Sequence, residues 1–319
     1  MPYQRFPKCK IISNESHTCV FELFETDTSV ANTLRRLMIA DVPTLAIDLV
    51  EVHENTTCLL DEYLAHRLGM FPIRWMNSEG KYGDASEQFK EPRDCTCEGR
   101  CEKCSIELNL QVEFDESDGM SSTRNITSAD LVVDPQHPNV SVASFLDQEE
   151  MEASQDKGIS LVKITHGQQL VIKAHARLGI SKEHAKWCPV AVATYRFIPE
   201  VTLNQEMLAK LSTEQKQQLV DVCPDRILRI DEVTGQLELD ENYEDMATFT
   251  EDLHYAQLAM KSRPEDEDFV TVKQSESRFV FTVESTGAMN ADEIVKSALK
   301  QLRQKLFNLT KEIQALEES

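Results

Sequence analysis

TSVANTLRRLMIADVPTLAIDLVEV, residues 28–52, is the stretch in which a helical repeat gives way to a strand repeat. Val30, Leu34, Leu37 and Met38 fall three and four residues apart, so they line one stripe of a helix that Asp27 or Thr28 can cap. Pro43 limits that helix, and the aliphatic, β-branched run from Thr44 to Val52 reads as a strand. Arg35 and Arg36 ride on the same helix, and their planar guanidinium groups suit a phosphate or a carboxylate.

On either side of it, Lys8 to Phe24 reads as a hairpin around a polar turn at Ser13 to Ser16, and Asp61 to Met70 as a short helix ending near Gly69 and Pro72. Residues 77–93 are rich in Gly, Ser and charge and are expected to form an exposed connection. Ser105 to Phe114 alternates as a strand, while 115–119, D-E-S-D-G, lacks the ligand order of a calcium loop and reads as a turn. Val132 to Asp156 is loop-like. Ile159 to Ile164 and Leu170 to Ala176 read as strands joined at His166-Gly167, and two more strands follow at Ala191 to Ile198 and Phe279 to Glu284. Between those two, Ser212 and Gln215 form a capping box for a helix stopped by Pro224, and Asp231 to Asp268 reads as an acidic, solvated excursion.

The last segment carries Val295, Leu299, Leu302, Leu306, Leu309, Ile313 and Leu316 at steps of four and three, one apolar seam along a long helix. Either a partner helix or the chain's own body could cover it. Four of the nine cysteines crowd into Cys95, Cys97, Cys101 and Cys104. That loop can wrap four thiolates around one ion, and a site closed by four sulfurs is structural rather than catalytic. Zinc suits the C-x2-C half. Disulfides need an oxidising compartment, whereas the opening MPYQRFPKCK has no secretion signal and points to the cytosol or nucleus; iron–sulfur clusters use other spacings. Cys9, Cys19, Cys58, Cys188 and Cys223 are scattered and expected mostly to be small buried hydrophobes.

At 319 residues and 41% hydrophobic, the chain can hold a sizeable core in two domains. No apolar run approaches the roughly 20 residues of a membrane helix, so no membrane partner is expected. The formal charge of −22 repels a phosphate backbone, which leaves little or no direct nucleic-acid contact and makes a partner's carboxylate the better target for Arg35 and Arg36. No P-loop, dinucleotide fingerprint, nucleophile elbow or H-E-x-x-H motif is present. Asp61, Glu62 and His66 share a helical face, and His184 precedes Trp187 closely, but both arrangements read as structural polar clusters.

Taken together, Ala31 to Ile39, Asp41 to Asp48, Asp61 to Gly69, His184 to Trp187 and Val283 to Gly287 resemble, in order, the hallmark blocks of the α-like assembly subunits of cellular RNA polymerases. The cysteine loop after Arg93-Asp94, the Trp at 187 and the opening Met1-Pro2-Tyr3 are similar to the third-largest subunits of RNA polymerase II; residues 204–268 depart from the pattern. The resemblance implies an α+β fold, with a discontinuous dimerisation domain (1–47 and 174–319) and an inserted strand-rich domain (48–173) carrying one structural zinc. It implies a non-catalytic nuclear scaffold that pairs with the small α-like subunit through Val30 to Met38 and Val295 to Leu316. The second-largest subunit and the small zinc-binding subunits would be further partners. The equivalent subunit of a plant-type specialised polymerase, or of polymerases I and III, is the nearest alternative. A freestanding zinc hydrolase, needing a three-ligand metal, and a DNA-binding zinc finger, opposed by the charge, are remote ones.

Overall fold

The computed structural model describes residues 6–97, 100–115, 122–143, 158–222, 228–231, 235–239, 251–260 and 268–317. Apart from Asp115, the turn expected over 115–119 lies outside them, as do Cys223, Pro224 and residues 265–267. Helices combine with mostly antiparallel sheets in an α+β fold. The chain forms two compact units, one of residues 1–10, 22–31 and 195–281, the other of 11–21, 32–194 and 282–319.

The second unit is built on a six-stranded sheet. Its strands are β3 (Pro43–Asn55), β4 (Ile73–Trp75), β5 (Ile106–Phe114), β7 (Val132–Val133), β8 (Val140–Val142) and β10 (Gln168–Ile180), in the order β7-β5-β10-β3-β4-β8. The central strand β10 runs antiparallel to both neighbours, with Leu178 opposite Leu45 and Ala174 opposite Leu108. Bulges follow Val171 and His175 where β10 pairs with β3. Alternation in β5 buries Ile106, Leu108, Leu110, Val112 and Phe114 while its other face stays wet, as the sequence pattern predicts. Helix α2 (Asp61–Gly69) adds Leu64 and Leu68 to this core, both fully buried. A two-stranded ribbon of β6 (Thr123–Thr127) and β9 (Ser160–Thr165) adds Ile126, Leu161 and Ile164.

Two expectations for this unit need correction. Residues 77–93 are not simply an exposed connection: Ala85 and Phe89 join the core. Buried Asp84 accepts hydrogen bonds from Ser86 N and from Ser297 Oγ, 2.9 Å each. The reason is local, since Trp75 Nε1 donates to Gln88 Oε1 at 3.0 Å and ties the segment to the sheet. Likewise the loop-like stretch after Val132 contains the edge strands β7 and β8.

The other unit has its own small core. Val201, Leu208, Leu219, Leu228, Leu237, Phe269 and Val270 bring together α3 (Gln205–Leu208), α4 (Thr213–Val222) and the hairpin of β12 (Leu228–Ile230) and β13 (Leu237–Leu239). The capping box holds, with Ser212 N donating to Gln215 Oε1 at 3.0 Å and Gln215 N to Ser212 Oγ at 3.3 Å. The acidic stretch is thus more than a solvated excursion: Leu228 and Leu237 anchor the hairpin, and buried Gln257 of α5 (Glu251–Met260) accepts from Val270 N at 2.8 Å.

A four-stranded sheet, in the order β1-β2-β14-β11, holds β1 (Lys8–Asn14), β2 (Thr18–Phe24), β11 (Val190–Leu203) and β14 (Val270–Ser285). The two long helices are α1 (Thr28–Ala40) and α6 (Ala291–Glu317). Asp27 caps α1, its carboxylate accepting from Val30 N at 3.0 Å. Among the described residues no helix is long and apolar enough to cross a membrane.

Candidate metal centre and partner surface

Cys95, Cys97, Cys101 and Cys104 come from one loop between a 3-10 turn (Pro92–Asp94) and β5. Their Sγ atoms lie within 4.8 Å of one another, with Cys95 to Cys101 and Cys97 to Cys104 at 3.5 Å and Cys101 to Cys104 at 3.6 Å. A disulfide would need about 2.05 Å. Sulfurs around a tetrahedral ion at about 2.3 Å stand about 3.8 Å apart, so the donor set and spacing fit a four-thiolate cation site.

The backbone shapes that site. Cys101 O accepts from Cys104 N and Ser105 N, both at 3.0 Å, folding the C-x2-C half into a tight turn, and Lys90 N donates to Lys103 O at 2.8 Å. The Lys103 N–H, followed by the Cys95 thiol, brings the Cys101 thiol down to about 7. Burial, reinforced by the Cys97 thiol, pushes Cys104 up to about 12. One sulfur is thus ready to ionise while a buried neighbour resists, and a cation that holds all four as thiolates removes the conflict. The loop is clamped from outside: Arg100 donates to Glu51 Oε1 and to Nε2 of buried His175, and Arg93 pairs with Glu183 at 2.7 Å. Arg100 can only donate, which fixes His175 Nε2 as the acceptor.

The remaining cysteines are less buried than expected. Cys19 is buried and Cys188 half-buried, but Cys9 and Cys58 are exposed. Asp61 accepts from Asn55 Nδ2 at 2.6 Å, and His184 caps the 3-10 turn Ala185–Trp187 by accepting from Lys186 N at 3.1 Å, structural work in both cases.

The candidate partner residues divide into two groups. Leu34, Leu37 and Met38 of α1 lie in the chain's own interior, at 4%, 5% and 0% exposure, and Val30 is 41% exposed. Arg35 is half-buried with its guanidinium on Asn32 Oδ1, at 2.9 and 3.1 Å, whereas Arg36 is exposed. On α6, Val295 and Leu302 are half-buried, but Leu299, Leu306, Leu309, Ile313 and Leu316 are 48–76% exposed. Only the first turns of that helix are anchored, through buried Ile294, Ser297 and Ala298. Beyond them Lys305 pairs with Asp41 at 2.6 Å, and every residue from Arg303 to Glu317 is exposed.

The site thus consists of a four-cysteine loop able to hold a metal ion and a long helix that ends in an exposed apolar seam. Over residues 20–306 the chain matches the model of the RNA polymerase Rpb3/Rpb11 dimerisation domain, and it belongs to that family of non-catalytic polymerase assembly subunits. It is 38% identical to DNA-directed RNA polymerases II, IV and V subunit 3 of Arabidopsis thaliana, over 95% of this chain and 90% of the relative. It is 36% identical to DNA-directed RNA polymerase II subunit rpb3 of Dictyostelium discoideum, over 96% and 94%. A third relative, DNA-directed RNA polymerases IV and V subunit 3B of Arabidopsis thaliana, is 38% identical over 95% and 90%.

Proposed function

We propose that the chain is the third-largest subunit of a nuclear RNA polymerase II. In this reading it pairs with the small α-like subunit and then gathers the second-largest subunit and the small zinc-binding subunits. The observation that carries the pairing is the α6 seam, whose Leu299, Leu306, Leu309, Ile313 and Leu316 remain about half exposed or more. A seam with the 4-3 spacing is what a partner helix covers, and burying apolar surface is worth roughly 25 cal/mol per Å² before ordering costs. Arg36 and the exposed Val30 would be further contact residues for the partner, while Leu34, Leu37 and Met38, buried in the chain's own interior, would hold α1 in shape. Residues 1–47 and 174–319 would form the dimerising part, and 48–173 the inserted part that carries the metal loop.

In the same reading the ion is zinc. Cys95, Cys97, Cys101 and Cys104 would hold it, and its contribution would be folding energy for the loop, with Arg100 and Arg93 fixing the loop's outer edge. The chain itself supplies no proton-transfer or nucleophilic step. A plant-type specialised polymerase is the second reading, favoured by the 38% identity to a subunit of polymerases IV and V. Purification of the complex through a tag on this chain, with mass spectrometry and metal analysis, tests all of this. Recovery of a polymerase II largest subunit, the small α-like subunit and zinc in the four-sulfur loop is expected. A different largest subunit, or no polymerase at all, would overturn it.

A further inference from the structure

Helix α6 has a third face. At about 100° per residue, Phe307 stands about 130° from both the apolar seam and the anchored side of Ile294, Ser297 and Ala298, with Arg303 and Lys311 one turn away on either side of it, each rotated about 40° from it. Phe307 is 64% exposed there. The other cations of this helix are engaged: Lys296 with Asp292 and Glu293, Lys300 with Asp84 and Glu87, Lys305 with Asp41. Arg303 and Lys311 are exposed and have no partner among the described residues. An aromatic ring flanked by two unpaired cations thus stands on the outermost surface of a protein whose formal charge is −22.

We propose that this outer face docks an extended acidic segment of another protein, in which two carboxylates flank a leucine-sized side chain at alternate residues. The spacing matches. Successive i, i+4 positions on the helix rise about 6 Å, and alternate residues of an extended chain advance about 6.7 Å along one side. Each carboxylate then meets a cation while the aliphatic side chain covers Phe307, so charge and apolar contact coincide only for that pattern. A nucleic-acid strand suits the face less well, because the rest of the acidic chain repels a long polyanion. Phe307 and Lys311 point away from the seam, whereas Arg303 stands at its border, so Phe307 is the part of the face farthest from the pairing proposed above.

The test uses the purified polymerase carrying this subunit, titrated with three labelled probes: a peptide repeating Glu-Ser-Leu-Ser, a scrambled peptide of the same composition, and a thymidine oligonucleotide. The patterned peptide should bind best. Phe307→Ala should weaken it about fivefold, Arg303→Glu with Lys311→Glu should abolish it, and Gln304→Ala should leave it unchanged. If the double reversal fails to assemble, Phe307→Ala alone decides. Equal binding of patterned and scrambled peptides, equal binding by Phe307→Ala, preference for the oligonucleotide, or no peptide binding would each overturn the proposal.

Discussion

Trp187 lies so close to Gly179 that a β-carbon on Gly179 would stand 2.5 Å from Cε2 of the indole, well inside van der Waals contact. The ring is fixed from several sides. Its Nε1 donates to Arg177 O at 3.1 Å, Lys186 Nζ lies 4.4 Å from the ring centroid, and Lys186 also bonds Asp48 Oδ1 at 2.6 Å. Thr44 Oγ1 donates to Trp187 O at 2.8 Å, tying the turn to the start of β3. Gly179→Ala must therefore displace a ring that cannot easily move, and a loss of roughly 1–3 kcal/mol is expected. Equilibrium denaturation checks it; an unchanged midpoint would contradict the close approach.

For the cysteine loop, Cys104→Ser should lower bound zinc and thermal stability together, because the buried Cys104 sulfur closes the four-sulfur set. Exposed Cys58 lies outside that set, and Cys58→Ser should change neither. Metal analysis with a melting curve reads both. Full zinc loading of Cys104→Ser would remove the metal centre from the account.

Acid should act through His175. Burial, reinforced by the Arg100 guanidinium, holds its pKa below the usual histidine value, although Glu51 and Glu107 pull the other way. The unfolded chain therefore takes up a proton near about pH 6.5 that the folded chain resists, so stability falls as pH drops below about 6.5 and recovers as it rises. His175→Gln keeps an acceptor for Arg100 and removes the titration, so its stability should fall less steeply through that window. Thiolate protonation weakens metal binding in both proteins, so the difference between their slopes is the quantity measured. Parallel slopes would count against the buried neutral imidazole.

Much of this was legible in the residues. The Asp27 cap, the Ser212–Gln215 box, the alternation of β5 and the four-cysteine loop are all local signals, each written within a few positions. What escaped was set by contacts between segments. Phe89 joins the core from a polar stretch because Gln88 beside it is tied to Trp75, a pairing that composition does not reveal. The stripe on α1 and the seam on α6 look alike in sequence, yet Leu37 is 5% exposed and Leu306 55%, since periodicity marks an apolar face without saying what covers it. The Arg100 contact with His175 spans 75 residues, and the approach of Trp187 to Gly179 depends on a side chain filling the space a β-carbon would take, which no motif encodes.

On the proposed reading, a second subunit completes the uncovered seam of α6. Co-expression with the small α-like subunit, followed by size-exclusion chromatography with light scattering, tests it most directly on wild type and on Leu306→Glu with Ile313→Glu. Both side chains are about half exposed in the free chain, so the substitutions should leave its fold intact. Wild type should form a one-to-one heterodimer and the double variant separated subunits; a heterodimer that survives both charges unchanged would rule out pairing through the seam.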